Sequence, residues 1–78
     1  MPKLSPHKAH QLQDLLAQGL SLLQGGDPQG ACFSYEAALA IAPRHFETLH
    51  LLGIAYAAAG QSERACEVFK QALSLEPG

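Results

Sequence analysis

The chain has 78 residues, of which 47% are apolar and 15% charged; its net charge is −2 with five Lys plus Arg. That describes one folded domain near the lower limit of what a single core supports. The few scattered cations exclude a phosphate-neutralising surface, no apolar run approaches the ~20 residues of a membrane span, and the start Met1-Pro2-Lys3-Leu4-Ser5-Pro6 lacks the apolar centre of a signal peptide. A soluble, cytoplasmic protein with neither nucleic acid nor membrane as partner is expected. Leu and Ala dominate the apolar content, Val occurs once and Trp is absent, a composition that favours helix over strand.

Residues 1–5 read as a tail. Ser5 then caps a helix that Pro6 opens, where the missing N–H costs nothing. Leu12, Leu15, Leu16, Leu20, Leu22 and Leu23 recur along it at helical spacing, and Gly25-Gly26 stops it. Asp27-Pro28 starts a second helix by the same logic, with Ala31, Cys32, Tyr35, Ala38, Leu39 and Ile41 as its buried stripe and Pro43 as its stop. Phe46, Leu49, Leu52, Gly53, Ile54 and Tyr56 mark a third helix, ended by Gly60. Ser62 is the expected cap of the fourth, with Glu63 near its positive end. Ala65, Cys66, Phe69, Ala72, Leu73 and Leu75 form its stripe, and Pro77 closes it.

The four helices are two copies of one pair. A shift of 34 residues lays Leu15 on Leu49, Gly19 on Gly53, Gly26 on Gly60, Ala31 on Ala65, Cys32 on Cys66, Ala38 on Ala72, Leu39 on Leu73 and Pro43 on Pro77, with Tyr35 on Phe69 and Ile41 on Leu75. The matches fall at small residues and Pro, which govern backbone path and close packing. Gly53 and Ala65 are expected to clear space where two backbones cross, with Tyr56 and Phe69 filling the wider gap beside them. Gly19, Ala31, Leu22 and Tyr35 are the equivalent set.

This pattern resembles the tetratricopeptide repeat. The second unit carries most of the family signature, Leu49-x-x-Leu52-Gly53-x-x-Tyr56, then Ala65-x-x-x-Phe69, Ala72 and Pro77. Leu49 stands where Trp is usual. In the first unit Gly19, Gly26, Ala31, Tyr35, Ala38 and Pro43 fit, whereas Gln18, Leu22 and Pro28 depart from it. The resemblance implies an all-α fold of two tandem hairpins, a fragment of a right-handed solenoid of antiparallel helices. The whole of 1–78 is one domain on this reading, with repeats at about 12–45 and 46–78. A narrower likeness lies in Glu47-Thr48-Leu49-His50-Leu51-Leu52-Gly53, which is similar to the start of repeat arrays in bacterial glycosyltransferases of the O-GlcNAc-transferase type. It implies a recruitment segment of a larger enzyme continuing well past Gly78.

In the family, the first helix of each hairpin lines a concave groove for a peptide or helix of a protein partner. Carried over, that face is Gln13, Leu16, Leu20, Leu23 and Gln24, then Glu47, His50, Ile54, Ala57 and Ala58. The groove so implied is apolar with polar groups at one end. Members that clamp a carboxylate use Lys and Asn there; Leu16, Leu20, His50 and Ile54 stand instead, so an apolar peptide or amphipathic helix is the expected ligand. Leu16, Leu20 and Leu23 could equally pack against an additional helix or a second copy. Arrays normally need about three repeats, so a homodimer, formed by exchange of hairpins, is a further expectation.

No catalytic, metal or cofactor site is expected. Cys32 and Cys66, one repeat apart, should lie beyond the ~7 Å reach of a disulfide and serve as buried filler. His7 and His10 share a face at i, i+3, but no Cys-x-x-Cys or His-Glu-x-x-His spacing exists, so the histidines read as surface or groove residues. His50 would lend binding a dependence on pH near ~6.5. Gly25-Gly26 lacks the Gly-Lys-Ser/Thr of a phosphate loop, and no Ser or Cys has a recognisable base.

Overall fold

The computed structural model describes residues 5–75. It consists of α1 (Pro6–Gln24), α2 (Pro28–Ile41), α3 (Phe46–Ala58) and α4 (Ser62–Leu75), with no strand among the described residues. Each helix packs on the next in chain order. The expectations for Pro77 and for residues 1–4 lie outside the described residues.

Local chemistry sets the helix ends. Ser5 Oγ accepts the Lys8 amide at 3.2 Å and Asp27 Oδ1 accepts that of Gly30 at 3.0 Å, each just ahead of a proline in the first turn. Both hairpin turns use one device. Gly26 (φ 89°) and Gly60 (φ 82°) take the left-handed backbone, which a side chain would strain. The residue after each glycine donates back to the helix just ended, Asp27 to Leu22 and Gln61 to Tyr56, both at 2.8 Å. That six-residue closure satisfies carbonyls that would otherwise be orphaned.

The link from α2 to α3 is built differently. His45, not one of the usual capping residues, caps α3: with its proton on Nε2, Nδ1 accepts from the Thr48 amide at 3.3 Å and from its hydroxyl at 2.7 Å. Ser62 is not the cap expected of it. It is the first residue of α4, and the Gln61 carbonyl receives the opening helical bond from Ala65 at 3.0 Å.

The core runs through both hairpins: Ala31, Cys32, Tyr35, Leu49, Leu52, Ala55, Tyr56, Ala65, Val68 and Ala72. α3 is apolar on nearly every side, as suits a helix flanked by α2 and α4. The glycines on the helix crossings differ from expectation in what they admit. A Cβ at Gly53 would lie 2.5 Å from Cε1 of Phe69, and one at Gly19 would run into the Tyr35 ring. Each glycine thus makes room for the aromatic ring of its partner helix, Phe69 or Tyr35, which lies directly against it rather than in a gap beside the crossing. Two stripe assignments fail outright. Cys66 is exposed, and Leu73 is 71% exposed, because no other described helix packs over that side of α4. Leu20, Phe46 and Ile54 also reach solvent, at 44%, 39% and 38%.

Candidate functional site

α1 and α3 both rest on α2, and a groove of about 280 Å3 opens between them. Gln13, Leu16, Ala17 and Leu20 enter it from α1 because three- and four-residue steps stay on one helical face. Glu47 and Leu51 enter from α3 by the same rule, with Leu12 and His45 completing the lining. The capping bonds to Thr48 hold the His45 ring in place at the groove edge. Glu47 sits in the first turn of α3, where the positive end of the helix dipole favours a carboxylate.

Four of the ten residues inferred from the sequence, Gln13, Leu16, Leu20 and Glu47, therefore share one groove. Leu23, Gln24, His50, Ile54, Ala57 and Ala58 do not line it; Leu23 is half-buried and the other five are exposed. His50 turns toward α4. Its ring stacks on Phe46 with centroids 6.0 Å apart and tilts against Phe69 at 5.8 Å. Leu51 and His45 were missed. Leu51 carried a signal, four residues on from Glu47, whereas a capping histidine has none in composition or spacing.

The groove floor is aliphatic, from Leu12, Leu16, Leu20 and Leu51, and its polar groups are Gln13, His45 and Glu47. Among the described residues no Lys or Arg lines it, so an anion would find none of their cations there. Beneath lies Tyr35, fully buried, whose hydroxyl has no hydrogen-bond partner among the described residues. Burial, then the Glu47 charge, pushes its pKa above the ordinary value. Tyr56 is tied instead: its hydroxyl donates to Glu36 Oε2 across the α2–α3 contact. Burial first, and then that hydrogen bond, push the Tyr56 pKa up to about 12. Cys32 and Cys66 are both free; burial, then Glu36, raise the Cys32 thiol. Among the described residues no three His, Cys, Asp or Glu side chains converge as metal ligands, and no helix is long and apolar enough to cross a membrane.

With this geometry in place, comparison with known proteins is decisive for the second hairpin. The family model described as tetratricopeptide repeat matches residues 46–78. Residues 46–78 are a tetratricopeptide repeat. The chain is 38% identical over 55 residues to a protein of Arabidopsis thaliana named Protein CTR9 homolog, covering 70% of this chain and 5% of that protein. It is 33% identical over 67 residues to the tetratricopeptide repeat and J domain-containing co-chaperone DNJ1 of Fusarium oxysporum f. sp. lycopersici, covering 86% of this chain and 13% of that one. The chain thus spans only a small fraction of either relative. No solved structure matches it significantly. A tetratricopeptide-repeat match within an all-helical double hairpin supports a protein-interaction module in general terms.

Proposed function

We propose that residues 12–45 are a second, diverged copy of the repeat and that the groove between α1 and α3 holds an apolar peptide or amphipathic helix of a protein partner. The observation that carries this reading is the groove lining: four leucines, one of them 44% exposed, and no Lys or Arg among the described residues. An apolar ligand gains free energy there by burial, at about 25 cal/mol per Å2 removed from water. Gln13 and Glu47 at the rim fix its direction through amide and carboxylate hydrogen bonds.

Selection of displayed peptides against the chain tests the reading. Selected peptides should carry apolar residues at i, i+3 and i+4, and Leu20→Glu should weaken them at least tenfold while helical content and sedimentation stay unchanged. Selection of acidic carboxy-terminal peptides, or equal binding by a folded Leu20→Glu variant, would overturn it.

A further inference from the structure

Two of the five Lys and Arg of the chain meet in one place. Arg44, in the link from α2 to α3, and Lys70, on α4, line a cleft of about 400 Å3 together with Gln71 and Ser74. Ser74 follows Lys70 by four residues and Gln71 by three, so the three side chains share one face of α4. No carboxylate lines the cleft among the described residues, although acids outnumber these bases seven to five in the chain. Among the described residues neither cation makes an ion pair.

Neither charge is explained by the helix beside it. The negative end of a helix dipole attracts cations within its last turn, and Lys70 lies before the last turn of α4. Arg44 stands just ahead of α3, where the positive end favours acids. Nor does the repeat call for them. The shift of 34 residues sets Arg44 on His10, Lys70 on Glu36, Gln71 on Ala37 and Ser74 on Ala40. Glu36 accepts from Tyr56 and the alanines offer no side-chain donor, so the group of four donors is peculiar to the second hairpin.

The donors specify a ligand. Arg44 presents a planar fork that matches two oxygens of an oxyanion and Lys70 a point charge, while Gln71 and Ser74 add an amide and a hydroxyl. A carboxylate has two oxygens and one charge, which a single guanidinium satisfies. A phosphate monoester has three terminal oxygens and nearly two charges at neutral pH, which match two cations and two neutral donors. Pro43, Leu49 and Leu75 make the remaining wall apolar, suited to the carbon that carries such a phosphate. We infer that this cleft binds the phosphate of an organic monoester, with the dianion against Arg44, Lys70, Gln71 and Ser74 and its carbon side against Pro43 and Leu75. The site is separate from the groove between α1 and α3.

The test is a titration of the isotope-labelled chain with phenyl phosphate, followed by NMR at pH ~7.5 and fixed ionic strength. Signals of Arg44, Lys70, Gln71 and Ser74 should shift together and saturate, with inorganic phosphate binding more weakly and benzoate more weakly still. Arg44→Ala and Lys70→Ala should each weaken phenyl phosphate about fivefold. Lys70→Glu should abolish its binding, and Leu20→Glu should leave it unchanged; circular dichroism checks that each variant keeps its helices. A short phosphoserine peptide run alongside identifies the source of the phosphate: tighter binding than phenyl phosphate assigns it to a protein partner, weaker binding to a small molecule. Shifts that never saturate, or that spread equally to Lys8 and Arg64, overturn the inference. So does benzoate binding as tightly as phenyl phosphate. Binding that appears only in Glu76→Gln also overturns it, since the cleft would then belong to the chain's own carboxylate.

Discussion

The two hairpins share a plan and differ in their surroundings. In each, a glycine on the first helix receives an aromatic ring from the second, Tyr35 at Gly19 and Phe69 at Gly53. But α3 lies between α2 and α4, whereas among the described residues α1 packs chiefly on α2. Identical local chemistry should therefore be worth different amounts in the two places, because a helix with one neighbour can tilt away from a clash and a helix with two cannot.

Overpacking the glycines tests this most severely. Gly53→Leu should cost about 3 kcal/mol or more and Gly19→Leu only about 1–2 kcal/mol, read as shifts in the urea midpoint. Equal losses would show that the second neighbour of α3 adds no constraint. The next largest effect is expected at high pH. An unfolded tyrosine ionises near pH 10 and folded Tyr56 only at about 12, so the folded state holds the proton more tightly. The resulting stability is complete below pH 10 and is lost as pH rises through 12, an effect of about 2–3 kcal/mol. Urea midpoints at pH 9 and pH ~11.5 should diverge in the natural chain and diverge less in Tyr56→Phe.

Capping divides the hairpins more gently. His45→Ala should cost about 1 kcal/mol, since it strips α3 of its cap and leaves the buried Thr48 hydroxyl without its partner. His45→Asn, which can cap, should recover most of that in thermal melts. The smallest expected difference separates the two tyrosines. Tyr56→Phe removes the bond to Glu36 and should cost about 1 kcal/mol, while Tyr35→Phe removes a buried hydroxyl with no partner among the described residues and should be within about 0.5 kcal/mol of neutral or stabilising.

These contrasts mark what could be read from the amino acids. Helix starts at Ser5 and Asp27, stops at Gly26 and Gly60, and the number and order of helices were legible because each depends on residues within one turn of chain. The repeat was legible too, and with it the match of Gly19 to Gly53. It misled where it was extended from chemistry to surroundings. Cys66 and Leu73 were assigned to the buried stripe of α4 by helical spacing and by their match to Cys32 and Leu39, yet a period says nothing about whether a neighbour covers that face. His45 was invisible as a cap because its acceptor nitrogen depends on tautomer and ring orientation. For the groove, sequence placed Gln13, Leu16, Leu20 and Glu47 on the surface between the two first helices, but His50 went to Phe46 and Phe69 instead, drawn by aromatic contact that spacing alone does not encode.

The unequal shelter of the two thiols gives the molecule a clock of its own. Cys66 meets solvent directly, while Cys32 lies beneath α3 with its thiol held in the less reactive protonated form. An alkylating reagent should consume the exposed sulfur first and the second only when α3 lifts away from α2. The lag between them would time the parting of the hairpins without any label being added.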